Sequence, residues 1–118
     1  MPVAAINLKV IGELRALQGA GAPVVLAELI DLFLKDAAVH VSRLRESVAS
    51  RDGRAFERTA LALKGSCGNL GAQAMSRMCA DLQALGHASD WARAGELLPG
   101  LEEEFREVSR ELEAEKRG

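Results

Sequence analysis

Few side chains in this sequence are equipped for chemistry. The histidines are His40 and His87, and the cysteines are Cys67 and Cys79. No Ser/His/Asp or Cys/His order suggests a nucleophile with its base. Neither histidine belongs to a Glu-x-x-His pair, so a di-metal site between helices is unsupported and no metal ligand set is expected. The cysteines lack a ligand spacing and read as two buried, reduced thiols. What remains is one stretch, Thr59-Ala60-Leu61-Ala62-Leu63-Lys64-Gly65-Ser66-Cys67-Gly68-Asn69-Leu70-Gly71-Ala72. Gly65 lies inside a helical pattern, where glycine costs ~1 kcal/mol relative to alanine. The usual reason for such a glycine is close approach by another molecule or backbone.

The elements that position this stretch follow from periodicity. Asn7 is a plausible N-cap for a short first helix to about Gln18, with Ile6 and Ile11 spaced as a hydrophobic staple, and Gly19-Ala20-Gly21 ends it. Pro23 suits the start of a second helix. Its stripe of Leu26, Leu29/Ile30, Phe33, Ala37, Val41, Leu44 and Val48 carries it to about Ala49, with His40 phasing outward. Asp52, in the turn Ser50–Gly53, caps a third helix whose core face is Phe56, Ala60, Leu63 and Cys67. At ~100° per residue Leu61 points ~120° from the centre of that face and is expected to be exposed, with Lys64 at the boundary and Gly65 beyond it.

A turn at Gly68–Gly71 leads to a fourth helix with Met75, Met78, Cys79 and Leu82 inward, ended by Gly86 and Ala88-Ser89-Asp90. Because the turn is short, the third and fourth helices are antiparallel neighbours, which sets Leu61 level with Gln83 and Glu57 level with His87. A fifth helix starts near Ser89 or Asp90. Its seam is Ala94, Leu98, Leu101, Phe105, Val108 and Leu112, it stays in phase across a kink at Pro99, and it carries solvent-face pairs Glu102/Arg106 and Glu113/Arg117. The fold class is therefore all-α: an antiparallel up-and-down four-helix bundle with a short N-terminal capping helix, one domain over residues 1–118.

Composition agrees. The chain is 48% hydrophobic and 27% charged, with few aromatic and β-branched residues, so strands are not expected. A net charge of −2 gives no long-range attraction for nucleic acid or an anionic membrane. No signal peptide is visible, and the most apolar run, Val24 to Leu34, is interrupted by Glu28 and Asp31, so no membrane insertion is expected and the location is read as cytoplasmic.

The run Leu63-Lys64-Gly65-Ser66, followed by Asn69-Leu70-Gly71-Ala72, resembles the signature of histidine-containing phosphotransfer (HPt) domains, His-x-Leu-Lys-Gly-Ser/Ala followed by Leu-Gly-Ala. The similarity reaches from Leu29-Ile30-Asp31-Leu32-Phe33-Leu34 to Leu101-Glu102-Glu103-Glu104-Phe105. It departs where the family carries its phosphoacceptor histidine: Leu61 stands there. The resemblance implies the same bundle. It implies that Lys64 offsets phosphoryl charge, that Gly65 permits close approach, and that Gln83 supports the acceptor from the adjacent helix. Leu61, Lys64, Gly65, Gly68, Gln83 and His87 are thus expected to form a surface for a response-regulator receiver domain, with a hybrid histidine kinase as a further candidate partner. No catalytic residue, cofactor or enzymatic activity is expected. Two alternatives stay open. One is a working phosphocarrier, present as a His-to-Leu form or using a surrogate acceptor such as His87. The other is a structural or dimerisation bundle.

Overall fold

The computed structural model describes residues 4–18 and 24–117, with the side chains of 18, 24, 25 and 117 left aside. The expected turn at Gly19–Gly21 and the Pro23 helix start lie outside the described residues. Five helices follow in order: α1 (Leu8–Gln18), α2 (Val24–Ser50), α3 (Gly53–Asn69), α4 (Gln73–His87) and α5 (Trp91–Arg117). No strand occurs among the described residues. α3 packs on α4 and α2, and α5 closes the ring by packing on both α4 and α2.

The stripes read from the sequence make the core. Ile30, Phe33, Ala37 and Leu44 of α2 meet Phe56, Ala60, Leu63 and Cys67 of α3. Met75, Cys79 and Leu82 of α4 and Ala94, Leu101, Val108 and Leu112 of α5 complete it. Full burial of a side chain such as Phe56 contributes about 1.5–3 kcal/mol. Val48, Met78 and Phe105 sit at its margin, half-buried. α5 runs unbroken through Pro99; Pro99 and Gly95 both face solvent, so water can reach the carbonyl that the proline leaves without a donor.

Helix ends are set by local chemistry. Asn7 Oδ1 accepts from the Lys9 N–H at 2.9 Å. Asp52 Oδ1 accepts from the Ala55 N–H and Asp90 Oδ1 from the Arg93 N–H, both at 3.2 Å. The lead-in to α1 is clasped by α5: Glu111 accepts from the Ala5 N–H at 2.8 Å and the Ile6 N–H at 3.1 Å. Arg15 adds an ion pair to Glu115 at 3.0 Å, and the Asn7 N–H reaches Gly71 O at 2.8 Å.

Several details differ from the periodicity reading. α3 does not end at Gly68; it continues to Asn69 and closes with the Ala72 N–H on Cys67 O (2.8 Å) and the Gly71 N–H on Gly68 O (3.2 Å). This is a Schellman closure, and Gly71 supplies its left-handed residue at φ 78°. Gly86 does not stop α4. It is a buried helical residue against Phe56, where a Cβ would fall 2.4 Å from Cδ1 of the ring. His40 does not point clear of the bundle. It is half-buried, and its Nδ1 is shielded without a hydrogen-bond partner among the described residues, because position 40 stands three and four residues from the core residues Ala37 and Leu44. Glu102 pairs across to Arg45 of α2, which leaves Arg106 to Glu103; Glu113 pairs with Lys116, and the Arg117 side chain expected beside it lies outside the described ones.

Candidate functional site

The outer face of α3 follows from its inner one. With Phe56, Ala60, Leu63 and Cys67 turned to the core, Leu61 is left 52% exposed. Gly65 and Gly68 come one and two turns later on the same outer stripe, and a Cβ at either would meet nothing within 4 Å. Lys64 is half-buried beside them, and its carbonyl accepts from Ser76 Oγ at 3.1 Å, which ties this turn of α3 to α4.

α4 brings Gln83 alongside. Leu61 and Gln83 line one shallow hollow of roughly 390 Å³ with Arg54, Glu57 and Arg58. One turn further, His87 Nδ1 lies 3.0 Å from Glu57 Oε1. The levels counted from the turn therefore place both pairs, Leu61 with Gln83 and Glu57 with His87. Lys64, Gly65 and Gly68 continue the surface along α3 and do not line the hollow.

Arg54 and Arg58 were missed by the sequence reading. Their signal is spacing: Arg54, Arg58, Leu61, Gly65 and Gly68 recur at intervals of four, three, four and three residues, one outer helical stripe. Behind the surface, a hydrogen bond with the Cys79 thiol and burial push the Cys67 thiol well above its ordinary range, so this thiol is held protonated. Both cysteines are free and buried. Among the described residues no cluster of His, Cys, Asp and Glu is arranged to hold a metal ion. No helix among them is long and apolar enough to cross a membrane.

The Hpt domain family model matches residues 28–114. The chain belongs to the Hpt domain family. HPt domains are phosphocarrier modules, not enzymes in the usual sense, and they work with receiver domains and histidine kinases in phosphorelays. Solved structures resemble this HPt domain closely in fold. Histidine-containing phosphotransfer protein B from Pseudomonas aeruginosa PAO1 superposes with a TM-score of 0.86 at 24% identity, covering 98% of this chain and 97% of that one. A putative histidine-containing phosphotransfer protein from rice gives 0.75 at 17% identity, covering 93% and 79%. No curated protein matches the chain.

Proposed function

We propose that this HPt domain docks response-regulator receiver domains without accepting their phosphoryl group at the usual position, and so serves as a decoy or adaptor in a cytoplasmic phosphorelay. The observation that carries the reading is the surface at Leu61: an exposed leucine with open glycines on one side and a hollow containing Gln83 on the other. Phosphoryl transfer from an aspartyl phosphate needs a nucleophilic lone pair close to phosphorus. Leu61 has none, while Lys64, Gly65 and Gln83 stand where the family signature expects the supporting groups.

The architecture we assign is an antiparallel up-and-down bundle of α2–α5, with α1 capping one end. The closed ring of helix contacts supports it, as do the links α2–α3, α3–α4 and α4–α5, none longer than three residues.

The test is incubation with a receiver carrying labelled phosphoryl. The complex forms, and the protein acquires no acid-labile phosphohistidine. Label on a histidine would overturn the decoy reading. Failure to bind any receiver of the source organism would favour a structural bundle.

One observation favours a second reading, a surrogate acceptor at His87. The Glu57 carboxylate at Nδ1 selects the tautomer in which Nδ1 donates and Nε2 presents its lone pair to solvent. Against it, His87 stands about one helical turn (~5–6 Å) from the level of Leu61, off the position where a receiver docked in the family manner presents its aspartate. Mapping any label by mass spectrometry separates the two readings.

A further inference from the structure

Positive charge is concentrated on and around α3, beside Leu61. Residues 43–64 carry six Lys/Arg against three Asp/Glu, a net +3, while the remaining nine Lys/Arg and fourteen Asp/Glu give −5. Of the other cations, Arg15, Arg45, Arg106, Arg110 and Lys116 are each paired with a carboxylate. Arg54 and Arg58 are exposed, line the hollow, and make no ion pair with any described residue. The carboxylate lining the same hollow, Glu57, is engaged by His87. Two free guanidinium groups one and two turns before an apolar side chain, with Lys64 one turn after it, form a site for a compact, multiply charged anion. Guanidinium matches phosphoryl oxygens in a two-pronged geometry, and the leucine between the cations displaces water that would screen them.

We propose that Arg58, one turn before Leu61, contacts the phosphoryl group of a docked receiver's aspartyl phosphate while Arg54, one turn further, adds its positive field, so that this surface binds the phosphorylated receiver in preference to the unphosphorylated one. The proposal rests on the receiver-docking reading above. No bond is made or broken: the phosphoryl stays on the aspartate, because Leu61 offers nothing to attack it. The module thereby reads the receiver's state without discharging it.

The experiment measures the affinity of the full chain for a cognate receiver in two states, magnesium-bound and unphosphorylated, and loaded with beryllofluoride as the aspartyl-phosphate mimic. The parent is expected to bind the loaded receiver at least about tenfold more tightly, the ratio that one charge-assisted contact backed by a neighbouring cation supplies. The double variant Arg54→Gln/Arg58→Gln should keep its helical signal, while the preference for the loaded receiver falls to about twofold or less. Lys35→Gln, which removes one charge on α2, should keep the preference. Equal binding of the two states by the parent overturns the proposal and leaves receiver docking standing, as does a preference that survives in the double variant. Binding to neither state overturns both.

Discussion

Replacing Gly65 by alanine should make this protein more stable. Gly65 lies within α3, away from both ends, and an added Cβ would meet no atom within 4 Å. The substitution therefore adds no clash. It removes backbone freedom from the unfolded chain, and the expected gain is the full helix-propensity difference of ~1 kcal/mol. Gly68 is also unobstructed but sits in the last turn of α3, where propensity counts for less; about 0.5 kcal/mol is expected there. Unfolding entropy of ~2.1 cal/mol/K per residue over this chain gives ~0.25 kcal/mol/K, so the melting temperature should rise by ~4 °C for Gly65→Ala and by ~6 °C for the pair. Urea unfolding followed by circular dichroism should show a higher midpoint with an unchanged slope. If Gly65→Ala leaves stability unchanged or lowers it, the glycine serves the fold and the argument from open space is wrong. The same position read by binding should respond in the opposite sense: Gly65→Gln folds normally and weakens receiver docking, because the side chain fills the approach.

Gly86→Ala should do the reverse, losing about 1–2 kcal/mol net as the 2.4 Å clash with Phe56 outweighs the propensity gain; calorimetry reads it as a lower melting temperature. Leu61→His should fold normally and, if the supporting residues are intact, accept labelled phosphoryl from a cognate receiver; receiver binding without transfer would mean those residues no longer suffice. The Cys67 and Cys79 thiols should resist alkylation at pH 8 in the native protein and react promptly once it is unfolded, since both are buried and Cys67 is held protonated. Burial, then Glu111 and Glu107, raise the Glu104 carboxyl above its ordinary value. The folded chain thus holds that proton more tightly than the unfolded chain. This group favours folding below the unfolded carboxylate pKa, and the benefit is lost as pH rises through the raised folded value. Glu104→Gln should accordingly stabilise the protein at pH 7, with the advantage gone below about pH 4.

Counting residues located the outer face of α3 because both helices that frame it have long, regular stripes. Exposure of Leu61 needed only the angle from Phe56, Ala60 and Leu63, and the Glu57–His87 pair needed only a short turn. Features set by a lateral neighbour were not legible. Gly86 looks like a helix terminator until Phe56 is seen against it. Glu102 looks like half of a local pair until Arg45 of α2 competes for it. Periodicity also measures angle from a stripe's centre and not the width of the groove beyond it, which is why the stripe sets His40 toward solvent while its Nδ1 is covered. Arg54 and Arg58 were visible as a spacing. They gain meaning only when the hollow shows them beside Leu61, with no ion pair to any described residue.

The grip of Glu111 on Ala5 and Ile6 reads main chain and not side chains. The contact itself therefore asks of residue 5 only that it not be proline, whose missing N–H would free one carboxylate oxygen, while burial of Ala5 in the core keeps its side chain small. The grip also works as a charge balance. Glu104, Glu107 and Glu111 recur along one ridge of α5, and the two amide dipoles of the lead-in are what face the last of them. Losing the lead-in would strip both Glu111 carboxylate oxygens of these donors, so the seating of residues 5 and 6 and the charge carried by that ridge of α5 are tied together.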